Sequence, residues 1–392
     1  MRKNIFYLTI IIFYLLNGCK DKPIKSYYKE ISSIKLDFQK KMKSVHDINL
    51  INDVDIISLD CDEVIIGNID KVIKFDTIIY LMDKDQNKSI YLFNLQGDFI
   101  HSISNYGQGP EEYIQLTDMF IDPLDSSLNV LSRMDKKLFK YDLRGDELRV
   151  IEKTPKSFSS MKKTEKGYMA NMGNYIEDMT KRSNLWLLNE NVEITDHYFE
   201  IDEMWESRYS KGGSTFSDYK DMNYYITPMD YNIYMITDRG VNIKYIFDLG
   251  KLQWPKITKA DVTNDKKLRE LRDEYLFRFY NFQETDNHLI IKFLYKGQDL
   301  LGVYNKEKQE VNITTLEAYK DKYFFGFGDI IGFDEKTIYS IIDSEDIKRM
   351  WDGKDEYNNY EEKYPTQVAN LRKKFKTIRE DGNPFLVMYS IN

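Results

Sequence analysis

The sequence predicts an all-β chain folded as one six-bladed β-propeller, with two short helical insertions and a ring closed by strands from both chain ends. Three observations predict it. A short apolar run ending in Asn or Asp recurs along the 392 residues, in six copies if a degenerate last one is included. A second strand-like run precedes most copies, so each unit holds about four short strands, the content of a propeller blade. The composition, 14% aromatic with 30 Tyr, suits the pleated surface of a sheet.

The chain opens with Met1-Arg2-Lys3-Asn4 and continues with the uncharged run Ile5 to Leu16. At helical rise that run covers about 18 Å, short of the roughly 30 Å of a bilayer core. A charged start followed by a short apolar stretch is the pattern of a secretory signal, here residues 1–18. The junction Leu16-Asn17-Gly18-Cys19 resembles the lipobox of bacterial lipoproteins. That resemblance implies cleavage before Cys19 and lipid on its thiol. The expected location is the outer membrane, with the face left open and the membrane reached through Cys19. Residues 19–49 read as a polar tether and residues 50–392 as the propeller. If Cys19 carries lipid, Cys61 has no partner and the fold rests on core burial alone. A formal charge of −8 offers no bulk attraction for nucleic acid, and a monomer is expected.

The repeat runs through Ile90-Tyr91-Leu92-Phe93-Asn94, Leu138-Phe139-Lys140-Tyr141-Asp142 and Leu185-Trp186-Leu187-Leu188-Asn189. It continues in Lys244-Tyr245-Ile246-Phe247-Asp248 and Leu301-Gly302-Val303-Tyr304-Asn305, and ends in the degenerate Leu386-Val387-Met388-Tyr389-Ser390. Preceding strands are expected at Ile78–Leu81, Leu128–Leu131, Ile233–Ile236, Leu289–Phe293 and Thr337–Ile341. The segments Phe93-Asn94-Leu95-Gln96-Gly97-Asp98 and Tyr141-Asp142-Leu143-Arg144-Gly145-Asp146 match closely and read as hairpins with a Gly in the turn. The last blade lacks an outer strand, and the alternating Asp53–Leu59 is expected to supply it, removing open sheet edges. Asp261 to Tyr280, with Leu268, Leu271, Tyr275, Leu276 and Phe279 at helical spacing, and the polar residues 345–380 read as helices inserted in blade loops.

Three segments carry a resemblance to a known family: Tyr80-Leu81-Met82-Asp83 through Gly97-Asp98-Phe99-Ile100, then Gly107-Gln108-Gly109-Pro110-Glu111-Glu112-Tyr113, and finally Asn383-Pro384-Phe385-Leu386-Val387-Met388-Tyr389. They resemble the six-bladed propeller lipoproteins of the Bacteroidetes, which are akin to NHL-repeat propellers. The resemblance implies a propeller and export to the cell envelope. It implies no reaction, because a fold does not set a function.

Catalytic signatures are missing from the sequence. There is no nucleophile elbow, phosphate loop or dinucleotide fingerprint, and His46, His101, His197 and His288 have no zinc-motif spacing. Asp83-x-Asp85-x-Asn87 alternates like a calcium loop, but Lys88 and Asn94 stand where that loop needs Gly and Glu, so a polar hairpin loop is expected. No cofactor is expected, and a metal on the channel axis stays open. Loops on a rigid scaffold are where binding groups sit. The candidates on one mouth of the ring are therefore Tyr106, Gln108, Glu111, Tyr113, Arg133, Arg182, Arg208, Tyr209, Arg239 and Arg278, whose arginines favour an anionic or carboxylate-bearing partner. Two function classes follow: a binding or scaffolding module for a glycan, peptide or envelope protein, and a metal-assisted hydrolase or lyase with its site in the central channel.

Overall fold

The structure is a computed structural model that describes residues 32–36, 48–59, 61–206, 215–227, 230–237, 239–276, 278–315, 329–352, 361–362, 365, 369, 379 and 381–392. In chain order the strands begin with β1 (Ser32–Lys35) and β2 (Ile51–Ser58). Blade 1 is β3 (Lys71–Phe75), β4 (Ile78–Asp83), β5 (Ser89–Asn94) and β6 (Phe99–Ile103). Blade 2 is β7 (Leu116–Asp122), β8 (Ser127–Ser132), β9 (Lys137–Asp142) and β10 (Leu148–Lys153). Blade 3 follows with β11 (Ser160–Thr164), β12 (Gly167–Asn171), β13 (Ser183–Leu188) and β14 (Ile194–Glu200). Blade 4 holds β15 (Phe216–Tyr219), β16 (Met222–Tyr225), β17 (Asn232–Thr237) and β18 (Gly240–Asp248). Blade 5 is β19 (Arg278–Glu284), β20 (His288–Tyr295), β21 (Gln298–Asn305) and β22 (Glu310–Thr315). Blade 6 takes β23 (Asp329–Phe333), β24 (Thr337–Ile342) and β25 (Phe385–Ile391), and is completed by β2.

The closing pairing is antiparallel and runs from Ile51 opposite Ile391 to Ser58 opposite Phe385. It brings the two chain ends into one sheet, as the alternation of Asp53–Leu59 predicts. Within a blade the middle strands are covered on both faces, so they read as continuous apolar runs. Every residue of Ser127–Ser132 and of Gly167–Asn171 is buried. Each blade therefore packs on both neighbours, and the core is divided into clusters between blades. Phe120, Leu131 and Leu138 of blade 2 meet Tyr168 and Trp186 of blade 3. Val72, Ile79 and Leu81 of blade 1 meet Ile57, Tyr339 and Leu386 of blade 6, which closes the hydrophobic ring.

The recurring Asn or Asp has a local cause. Its side-chain oxygen turns back to accept backbone N–H groups just beyond the strand: Asn94 from Gln96 and Asp98, Asp142 from Glu147, Asn189 from Asn191 and Glu193, Asp248 from Gly250, and Asn305 from Lys308. The repeat is thus a strand ended by an Asx turn.

The fourth copy is shifted. Lys244–Asp248 lies in β18, the fourth strand outward, and Ile233–Ile236 lies in β17, so this pair sits one strand further out than in the other blades. The inner pair β15 and β16 has only four residues per strand and no aliphatic run, which leaves it without a hydrophobic signature. The outer edge of blade 4 carries an extra strand. β1, inside the stretch read as a tether, pairs in parallel with β18 from Ser32 opposite Tyr245 to Lys35 opposite Asp248. The helical reading of Asp261 to Tyr280 needs correction at its end. Thr258 caps α1 (Lys259–Thr263) through a capping box with Asp261, and Asn264 caps α2 (Asp265–Glu274), whose Leu268 and Leu271 are buried. The helix stops at Tyr275, and Phe279 belongs to β19, whose alternation was masked by the helical spacing before it. In the second insertion α3 (Ser344–Asp352) is helical, and most of residues 353–380 lies outside the described residues. No helix among the described residues is long and apolar enough to cross a membrane.

Candidate functional site

Antiparallel order sends the first-to-second and third-to-fourth strand turns to one end of the ring. The second-to-third connections and those between blades go to the other. The first end carries short turns such as Asp76-Thr77 and Lys220-Asp221. The second carries the long connections: 59–70, 104–115, 172–182, 201–215 and the two helical insertions. This loop-bearing mouth is the candidate site.

Several of its loops are internally fixed. Asn383 is buried and accepts from Ile66 N at 2.8 Å while donating to Leu59 O and Val64 O, so it clamps the 59–70 connection to blade 6. Asp83 is fully buried at the end of β4 and accepts from Gln86 N and Asn87 N; burial raises its pKa despite these bonds. In the Gly107–Tyr113 loop, Tyr113 N donates to Asn105 O at 2.9 Å and Gly107 N to Tyr113 O at 3.1 Å. The Glu112 carboxylate takes Gly109 N at 2.7 Å and fills the space beside Gly107, where a Cβ would meet Glu112 Oε2 at 1.9 Å. The glycines are there because the loop folds over its own carboxylate. Tyr113 is buried, donates to Lys88 O at 2.6 Å and packs edge-on against Phe139.

Between blades 2 and 3 the mouth carries a cationic cluster. Arg133, after β8, lays its guanidinium 4.6 Å from the centre of the Tyr175 ring, and burial lowers its pKa. Lys156, in the β10–β11 connection, is 8% exposed with its ammonium 4.6 Å from the Trp186 ring. Glu177 stands among them, accepting from Lys136 Nζ and, at 3.0 Å, from Ser157 N. Burial works against its charge, but these bonds prevail and hold its carboxyl below the usual range.

The family model described as a domain of unknown function, DUF4934, matches residues 31–390. The chain belongs to the DUF4934 family. A comparison with curated proteins gives no match. Among solved structures, this DUF4934 chain is similar to an exported-protein candidate of Bacteroides fragilis, with a TM-score of 0.75 and 19% identity over 93% of this chain and 100% of that one. A DUF4221 family member from Bacteroides vulgatus aligns with a TM-score of 0.51 and 12% identity over 88% of this chain and 97% of the other. At such identities the likeness carries the propeller fold and no activity.

The DUF4934 chain brings only part of the expected residue set together. Tyr106, Gln108 and Glu111 are exposed on the 104–115 loop, and the loop is tied to blade 2 where Lys137 Nζ donates to Pro110 O at 3.2 Å. Arg133 is on the same rim. Arg182 is there too but is engaged by Glu200 at 2.7 Å and by Glu203. Arg278 opens β19 on the far side of the ring, over the Tyr280 ring at 4.4 Å. Arg239 lies in the β17–β18 turn, at the opposite end, because blade 4 is displaced by one strand from the sequence reading. Arg208 and Tyr209 lie outside the described residues. Lys156, Tyr175 and Glu177 were not singled out from the sequence.

Along the inner strands, polar groups bond across blades. Lys71 pairs with Asp118 at 2.6 Å, Met161 N donates to Asp118 Oδ2 at 3.0 Å, and Ser217 Oγ donates to Gln283 Oε1 at 3.0 Å. Among the described residues no three His, Cys, Asp or Glu side chains gather closely enough to hold a metal ion. A cavity of about 270 Å³ lies on the outer wall between β1 and the β21–β22 turn, lined by Ser33, Ile34, Lys35, Tyr304 and Gln309–Val311, away from the mouth.

Proposed function

We propose that this protein is a cell-envelope lipoprotein whose propeller is a binding module, with its loop-bearing mouth as the binding surface. The observation that carries the reading is the distribution of exposed apolar side chains. Ile65 (86% exposed), Tyr106 (51%), Ile114 (37%), Met134 (68%) and Met179 (60%) follow one another around the mouth over blades 1 to 3. Elsewhere Leu124 (72%) stands on a turn at the opposite end, and Val150 (45%), Ile194 (39%), Ile100 (37%) and Ile151 (36%) lie on the outer strands β6, β10 and β14 rather than on loops of the mouth. A run of exposed apolar groups rimmed by charge is the signature of a recognition surface. The Leu16-Asn17-Gly18-Cys19 junction supports the lipid anchor. β1 pairs in parallel with β18 from Ser32 opposite Tyr245, so it runs in the direction from the turn-bearing end toward the mouth.

Two measurements test the proposal. Cys19→Ala is expected to move the protein from the detergent phase to the aqueous phase; unchanged partitioning refutes the anchor. A photo-cross-linking residue at Met134 is expected to capture a partner in intact cells, and one at Leu124 is not. Equal adducts from both positions, or none from Met134, refute the binding mouth.

A further inference from the structure

Resting on the reading of the mouth as a binding surface, we infer that its ligand is an acidic peptide segment with apolar residues beside its carboxylates. The segment lies over blades 1 to 3, and one carboxylate enters between Arg133 and Lys156.

The charge balance is the first argument. Arg133 and Lys156 make no ion pair among the described residues, although Arg133 is half-buried and Lys156 nearly fully so. The carboxylate that acts on both, Glu177, is already engaged by Lys136 Nζ and Ser157 N. Asp178 is exposed and turned to Thr180, whose N–H and hydroxyl both donate to it. Burying a cation is costly unless an anion meets it, and neither Arg133 nor Lys156 has a carboxylate bonded to it among the described residues, so both are open to a further anion. A ligand carboxylate supplies it, and a guanidinium offers that group a two-pronged geometry.

The second argument separates peptide from glycan. Sugars are recognised through the open faces of aromatic rings, and on this rim the Tyr106 and Tyr175 rings each have one face taken by a cation, while Trp186 is buried. Lys88 Nζ sits 3.7 Å from the centre of the Tyr106 ring, Arg133 covers Tyr175, and Lys156 covers Trp186. Besides Tyr106, the exposed apolar groups of the rim are aliphatic: Ile65, Ile114, Met134 and Met179. Unbranched methionines adapt to varied apolar side chains and recur on peptide-binding surfaces.

The experiment uses the full-length protein in detergent and a fluorescein-labelled dodecapeptide of alternating glutamate and leucine, followed by anisotropy. Binding is expected to weaken with added salt. It should fall at least about tenfold when the peptide carries glutamine for glutamate, or in R133Q or K156Q protein. M134S should weaken it several-fold and L124S not at all; melting curves confirm that each variant is folded. Equal affinity for the glutamine peptide, or full affinity in the R133Q/K156Q double variant, overturns the inference. Tighter binding of tetragalacturonate that ignores M134S assigns the surface to an acidic glycan and also overturns it. If no probe binds while Met134 still cross-links in cells, the peptide inference falls and the binding mouth stands; if neither occurs, both fall.

Discussion

Gly97, in the turn between β5 and β6, lies against the outer strand of the last blade: a Cβ on Gly97 would stand 2.2 Å from Ser58 O. Gly145 repeats the arrangement one blade on, with Ile103 and His101 of β6 at 3.0–3.2 Å. The turn of each of these blades thus rests on the outer strand of the blade before it, and at Gly97 that contact crosses the seam between blade 1 and blade 6.

Gly97→Ala combines an unfavourable φ of +89° with a backbone clash. The expected cost is about 3 kcal/mol in urea unfolding. Gly297→Ala supplies the control, because φ is +72° and nothing lies within 4 Å. Its cost should be only about 1 kcal/mol, from strain alone. Equal losses would mean that the Ser58 contact contributes nothing.

Asn383→Ala removes the group that serves Ile66 N, Leu59 O and Val64 O together. Leaving these buried groups unpaired should cost about 2–3 kcal/mol. Hydrogen exchange should quicken at Ile66 while the backbone N–H groups of β12 stay protected. Unchanged exchange at Ile66 would show that another group holds the loop.

His288 gives the fold a defined acid sensitivity. It is 4% exposed, and burial lowers its pKa from the ordinary histidine value. The folded state therefore holds the neutral ring, and this contribution is complete above the unfolded pKa of about 6.5 and lost as pH falls toward the lower folded value. Melting temperature should drop from pH 7 to pH 5 in the parent, and less steeply in His288→Gln. Parallel slopes would assign the acid sensitivity to other groups.

Deleting residues 384–392 removes β25 and leaves both β24 and β2 with an unpaired edge. The truncated chain should aggregate under conditions in which the parent is monodisperse by light scattering. A soluble, monomeric product would mean that blade 6 closes in some other way.

Much of this architecture was legible because its signals are local. The Asx-turn residue that ends five of the repeats and the alternation of Asp53–Leu59 each lie within a few residues of chain. Blade 4 was misplaced by one strand because Met222-Asn223-Tyr224-Tyr225 carries buried tyrosines in place of an aliphatic run. The mouth was legible only in part. Arg133 stood out as a loop arginine, but Lys156 and Glu177 matter through neighbours contributed by separate loops. No spacing rule relates Ser157 N to Glu177, or Lys156 to Trp186, before the blades are stacked. Tyr113, with the same sequence credentials as Tyr106, proved to be a core residue whose hydroxyl is spent on Lys88 O.

The pairing of β2 with β25 also sets an order of events. The strands of the other five blades lie between β2 and β25 in the sequence, so β2 must wait, edge unpaired, until all of them have been made. The other blades are built from neighbouring stretches of chain, but the ring locks only when β25 is in place. A chain cut short by a premature stop or a protease therefore cannot mature into a slightly smaller propeller. Delivery of β25 is itself the trigger for closure, and a copy without it exposes the edges that proteases and chaperones recognise.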